Sequence, residues 1–445
     1  MAPGVVRREL SVSVEVVDAF VTLYRDHSPV AWLDSRGERG SGTSVLATGE
    51  EIILEPGREL SSLREHYASR YSATSDIPAT VPLGFLGVIA YDGASESMDL
   101  SVVSDPGHRA TSYGLWVTRS LEFNEDTQAI VAWGLEADEG FEQWVAEVES
   151  ALGDAPPTAE SLLLPATDVV WRDSPERYLG MISRAQGAIR DGEVYQICLT
   201  TSVEMNSPVA DWELHRVFRD TSPTHHQALF RFSDYSLVSA SPETFLTIDT
   251  DGLIQTRPIK GTRPRGAIRE SDQQLARELV ESDKERAENL MIVDLMRNDL
   301  QRVCDTGSVN VAGLFEVETY SSVHQLVSTV EGKLKEGVDG VDALMACFPA
   351  GSMTGAPKHR AVALLSEWES APRGIYSGIW GWWRLDGSME WAMTIRSALM
   401  REGRVSIGVG GGITWSSVPE REIAEVGHKA RRLLEALGVS SDQYS

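Results

Sequence analysis

The sequence predicts a mixed α/β (α+β) fold, and three observations point to it. Short alternating or apolar stretches with strand character recur from one end to the other. Stretches with helical periodicity and start or stop signals lie between them, and no repeat of fixed period interrupts the alternation. The 445 residues suffice for a large core and one to three domains, and a composition of 42% hydrophobic and 24% charged residues is ordinary for a globular protein.

Residues 1–155 form the expected N-terminal region, with strands at Ser44–Ala47, Gly84–Ile89 and Tyr113–Val117 and a helix at Glu139–Leu152. Asp154–Glu160, DAPPTAE, is rich in proline and small residues and reads as a linker. Residues 165–440 form a second expected region, denser in motif-like sequence. There Ser174–Asp191 reads as an amphipathic helix, Val194–Val203 as a strand, and Phe232–Glu243 as two strands about a turn. Pro357 is expected in the first turn of a helix that follows it.

A net charge of −26 opposes binding to nucleic acid or to an anionic membrane surface. No apolar run reaches the roughly 18 residues of a membrane span. Cys198, Cys304 and Cys347 are far apart and form no CxxC pair, so neither a disulfide framework nor a zinc site is expected. The N-terminus lacks the apolar core of a signal peptide, and these features together lead us to expect a cytoplasmic protein. If the substrate is an anion, its site must reverse the global field with a metal ion or with placed Lys and Arg.

Two segments could do that. Ser282-Asp-Lys-Glu285 is a capping-box pattern opening a long helix on which Glu285 and Glu288 share a face. Ser417-Val-Pro-Glu420 gives a similar start signal to a helix on which Glu422, Glu425 and Lys429 share a face, ending at Gly438. Just before it, Gly410, Gly411 and Gly412 end an apolar strand, where converging N–H groups could hold an anion. Carboxylates beside such a turn suit Mg²⁺, which takes few protein ligands and keeps water and ligand oxygens. Taken alone, each helix also reads as a solvated face, and Lys260 in RPIKGTRPRG as a surface charge.

Eight motifs occur in order: SPETFL (241–246), RPIKGTRPRG (257–266), ERAENLMIVDLMRNDL (285–300), YSSVHQLVSTVEGKL (320–334), FPAGSMTGAPK (348–358), YSGIWGWW (376–383), MTIRSALM (393–400) and IGVGGGITWSSVPEREIAEVGHKA (407–430). Together the set resembles the chorismate-utilising enzymes over about residues 165–440, with Trp32-Leu-Asp-Ser35 the best match before it. The resemblance implies two β-sheets packed as a sandwich with helices outside and the site in a cleft between the layers. It implies Glu288 and Glu425 as Mg²⁺ ligands, supported by Glu285 and Glu422. It makes Arg396, on a strand-like segment, the clamp for the second carboxylate of chorismate, aided by Lys429 and Gly410–Gly412. It implies that His324 lies beside the reacting ring and that Glu243 is the general acid. Thr262, Ser352 and Thr354 would carry the lining hydroxyls, and Trp382 would stand where many relatives have a tyrosine. Without the motifs, His324 and the tryptophans read as core residues.

Three positions bear on the reaction within the family. Lys260 resembles the aminodeoxychorismate synthases, in which it would be a covalent nucleophile; alanine is usual there in anthranilate synthases. Gln196 stands where isochorismate and salicylate synthases place a lysine that activates water. Thr221-Ser-Pro-Thr-His225 lacks the tyrosine of the anthranilate synthase motif NPSPY, part of a tryptophan site. The expected reaction is chorismate plus ammonia to aminodeoxychorismate, with ammonia from a separate glutamine amidotransferase subunit, since no glutaminase motif is found in the chain. The alternatives are an anthranilate synthase component I and a non-catalytic chorismate-binding regulator.

Overall fold

In the computed structural model, residues 4–35, 42–70, 77–78, 80–102, 111–159, 165–320 and 323–439 are described. Glu160, the last residue of the expected linker, lies outside them. Among the described residues the strands form one hydrogen-bonded network of 20, and its strand pairs run antiparallel. That makes the fold α+β. The two expected sheets are two leaves of this network, joined through a pair of long strands.

Those strands are Thr43–Ile53 and Tyr113–Asn124, paired along their whole length with a register shift at Thr48/Gly49. The shift is where the ladder divides. Beyond it Arg119–Phe123 pairs with Ile130–Leu135, while before it the Tyr113–Val117 half pairs with Gly84–Ile89. The first leaf continues through Val30–Ser35, His226–Arg231, Ser236–Ser241, Ser397–Arg401 and Arg404–Ile413 to Gln196–Asn206. The second runs from Gly84–Ile89 through Ile379–Arg384, Met389–Met393, Thr244–Ile248 and Leu253–Thr256 to Val323–Lys333. Because Val30–Ser35 and Gly84–Ile89 pair with strands from beyond residue 165, the N-terminal strands are built into both leaves.

The leaves face each other across aromatic packing. Trp380 donates its indole N–H to Ser239 Oγ at 3.0 Å, and its ring meets Phe230 edge-on at 5.7 Å. A second core lies under helices that include Pro175–Arg190 and Pro419–Ala436, where Tyr178, Ile182, Val426 and Leu434 are buried. On the second leaf the Asp283–Val303 helix buries Ile292, Val293, Met296 and Leu300. Continued towards the N-terminus, the same helical stripe carries Glu285 and Glu288, which line the cleft.

Some local signals behave differently from expectation. Ser282 caps the Asp283–Val303 helix, accepting from the N–H of Glu285 at 3.3 Å. Ser417 does not cap the later helix; it accepts from the N–H of Thr414, and Val418 takes the cap position before Pro419. Pro357 likewise sits one residue before the first turn of the Lys358–Trp368 helix. Among the described residues, no helix is long and apolar enough to cross a membrane.

Candidate active site

A cavity of about 610 Å³ opens between the leaves, with the two glutamate-bearing helices at one side. Six Lys and Arg side chains and five glutamates line it, so it is close to charge balance inside a chain of net charge −26.

Lys260 is carried into the cavity by the Ile259–Pro264 strand, which pairs with Val323–Val327. Next to it Gly261 has φ +95°, and a methyl there would lie 3.0 Å from Glu285 Oε2. Only glycine allows both the left-handed turn and this approach of strand to helix. A methyl on Gly412 would lie 2.6 Å from Gln196 Nε2 and 3.8 Å from Lys260 Nζ, so the missing side chain leaves room for both groups. Gln196 is fully buried, yet neither amide atom has a hydrogen-bond partner among the described residues. A buried amide left so costs roughly 1–3 kcal/mol, which is tolerated where something polar is to arrive.

Gly410–Gly412 form no curled anion nest. They are extended residues of the Arg404–Ile413 strand, paired with Thr200, Leu199 and Cys198. That strand's other edge is paired only as far as Ile407, opposite Ala398. Beyond it the glycines present an open strand edge to the cavity, where Lys429 Nζ donates to the Gly410 carbonyl at 2.9 Å.

Glu243 follows the turn after Ser236–Ser241 and is 8% exposed. Burial pushes its carboxyl above the usual range, against the pull of Lys260, the Ser352 hydroxyl, Arg396 and the Ile259 N–H. Arg396 is not on a strand: it lies in the break between Met389–Met393 and Ser397–Arg401 with φ +49°. A left-handed arginine costs roughly 1–3 kcal/mol, and here it turns the side chain into the cavity. Burial and the neighbouring Arg432 pull the Arg396 guanidinium below its usual range. Two guanidiniums converging there suit a carboxylate.

The four helix glutamates all line the cavity. Arg263 lies 3.3 Å from Glu285, and Lys429 lies 2.8 Å from Glu425, holding that carboxyl below its usual range. Glu288 differs: burial raises its carboxyl despite Lys260 and Lys284, with Glu285 and Glu422 adding repulsion. Among the described residues no three acidic, His or Cys side chains converge as a closed metal cage. The donors are all carboxylates on two facing helices, a set suited to a hard cation that keeps most of its ligands as water and substrate oxygens.

The cavity therefore brings together Lys260, Glu243, Thr262, Arg396, Gly410–Gly412, Lys429, Ser352, Glu285, Glu288, Glu422 and Glu425. Three expected residues lie elsewhere. His324 points away, with Nε2 2.9 Å from Asp272 Oδ1 and Nδ1 2.9 Å from Thr319 Oγ1, and its neighbour Gln325 lines the cavity instead. Thr354 is fully buried and donates to the Ala350 carbonyl. Trp382 is buried on the Ile379–Arg384 strand beneath the Arg384 guanidinium, and the tyrosine that reaches the cavity is Tyr376. Arg432 also lines it; its spacing of three from Lys429 and seven from Glu425 puts it on the same helix face.

Fold and site define a two-leaf α+β protein with a cleft lined by converging lysines, arginines and helix glutamates. Residues 28–435 match the model of the chorismate binding enzymes, and the chain belongs to that family. It is 35% identical to the aminodeoxychorismate synthase of Streptomyces pristinaespiralis across 97% of this chain and 64% of the relative. It is 39% identical to anthranilate synthase component 1 of Arthrobacter globiformis across 73% of this chain and 62% of the relative. The chain thus spans slightly less than two thirds of the length of these relatives. The crystal structure of anthranilate synthase component I from Streptococcus pneumoniae TIGR4 superposes with a TM-score of 0.79 at 28% identity, covering 88% of this chain and 92% of that one. The menaquinone-specific isochorismate synthase of Escherichia coli shares the fold, with a TM-score of 0.76 at 18% identity over 98% of this chain and 96% of that one.

Proposed function

We propose that the protein is an aminodeoxychorismate synthase of the component I type, joining ammonia to C4 of chorismate with loss of the C4 hydroxyl. The observation that carries this reading is Lys260, whose amine shares one cavity with the buried acid Glu243. An anthranilate synthase would need no amine there, and a non-catalytic binder would need neither group.

In this reading chorismate lies with one carboxylate toward Arg396 and Arg432 and the other toward the two glutamate helices. Glu288, Glu422 and Glu425 fit Mg²⁺, directly or through water, and the ion when bound would neutralise the ring carboxylate. Glu243, whose carboxyl burial pushes above its usual range, gives its proton to the departing C4 hydroxyl, which leaves as water. The amine nitrogen of Lys260 forms a bond to C2 as the two ring double bonds shift and the C4–O bond breaks, and its surplus proton passes to the Glu243 carboxylate. Ammonia adds at C4, the double bonds shift back, the C2–N bond breaks, and a proton passes from the new C4 ammonium to the departing lysine nitrogen. The net change is chorismate and ammonia to aminodeoxychorismate and water. Ammonia would come from a separate glutamine amidotransferase, and three unpaired buried cysteines fit a reducing cytoplasm.

Intact-protein mass spectrometry after mixing with chorismate and Mg²⁺ in the absence of ammonia tests the covalent step. A single adduct on the wild type that Lys260→Ala lacks supports it. An adduct that survives Lys260→Ala would exclude this lysine as the nucleophile.

A further inference from the structure

Lys284 is a cavity cation whose position the reaction above does not use, and its surroundings are unusual. It lies in the first turn of the Asp283–Val303 helix, where the dipole disfavours a positive charge. Its intrahelical partner Glu288 follows it by four residues, the weaker of the two orders for such a pair. Neither local rule accounts for a lysine here. The second helix does: Lys284 Nζ lies 3.8 Å from Glu288 on its own helix and 4.0 Å from Glu422 across the cleft.

The other two glutamates have their own cations at shorter range, Arg263 for Glu285 and Lys429 for Glu425. Among the described residues, the cation within 4.0 Å of both Glu288 and Glu422 is Lys284, at distances too long for a formed hydrogen bond. The Lys284 side chain is 51% exposed, while Glu288 and Glu422 are 16% and 6% exposed. The cation can swing out to water; the carboxylates cannot.

We propose that Lys284 is a built-in counter-cation, which keeps Glu288 and Glu422 facing each other in the metal-free protein and yields them to a divalent cation. The proposal rests on the metal site in the reading above. The lysine thus lowers metal affinity and stabilises the metal-free cleft, so that the ion exchanges readily rather than being held permanently.

The test is titration calorimetry of the full chain with MgCl₂ in the absence of substrate, beside thermal melts with and without Mg²⁺. Lys284→Met and Lys284→Gln should each bind Mg²⁺ about threefold to tenfold more tightly than wild type, the effect of removing one partly solvated competing charge. Their metal-free forms should melt lower than wild type, and saturating Mg²⁺ should close the gap. Lys284→Arg should behave as wild type. If wild type binds Mg²⁺ and the neutral variants bind it equally or more weakly, the counter-cation role is wrong while the metal site stands. If no form binds Mg²⁺, both fall.

Discussion

His324 and Gln325 are neighbours on one strand and serve opposite faces of it. Gln325 lines the cavity, while His324 is held behind it by Asp272 and Thr319. Of these two neighbours, the one that lines the cavity is therefore a neutral amide rather than an imidazole.

This arrangement predicts a split between stability and turnover. His324→Ala should lower unfolding free energy by about 1–3 kcal/mol, because it removes two part-buried hydrogen bonds made by a buried ring. Gln325→Leu should leave the urea midpoint nearly unchanged and lower kcat/KM for chorismate. The reverse pattern would restore histidine to the chemistry.

Glu243 gives a pH prediction with a definite sign. Burial raises its folded-state pKa above the ordinary 4.5, so its contribution to stability is fully present below that ordinary value and lost as pH rises through the raised one. Glu243→Gln should therefore melt higher than wild type at pH 8, with the difference shrinking towards pH 5. It should also lose about 100-fold or more in turnover, the usual worth of a general acid. A variant that melts lower at pH 8 would contradict the burial argument.

Gln196 should show the same opposition between stability and activity by a different route. Its amide is buried without a partner, so Gln196→Leu removes a polar group that the fold does not satisfy. The variant should unfold at equal or higher denaturant concentration yet turn over chorismate at least tenfold more slowly. Equal turnover would mean that the orphaned amide has no part in the site.

Much of the site was legible in the sequence where local chemistry and helical spacing agree. Glu285 and Glu288, and Glu422, Glu425 and Lys429, are grouped by the helical repeat, and the structure turns both groups to one cleft. Strand residues were less legible. Successive side chains alternate between faces, so choosing His324 over Gln325 reverses the direction entirely, and nothing local says which face meets the cavity. Tyr376 was obscured for another reason: it precedes the Ile379–Arg384 strand, where the tryptophans draw attention but pack into the core. The break that carries Arg396 was also hidden, since MTIRSALM has strand-like composition and only tertiary contacts impose the left-handed turn. Two leaves sharing two long strands follow from the register shift at Thr48/Gly49, which composition does not signal.

Whether Lys260 directs nitrogen to C4 is decided by the identity of the product. Purified protein with chorismate, Mg²⁺ and ammonium should form aminodeoxychorismate without releasing pyruvate, and a separate lyase should convert it to 4-aminobenzoate. Lys260→Ala should lose that product by several powers of ten while still binding chorismate through Arg396 and the glycine edge. Formation of 2-aminobenzoate with pyruvate by the wild type, without any lyase, would contradict the account and make this an anthranilate synthase.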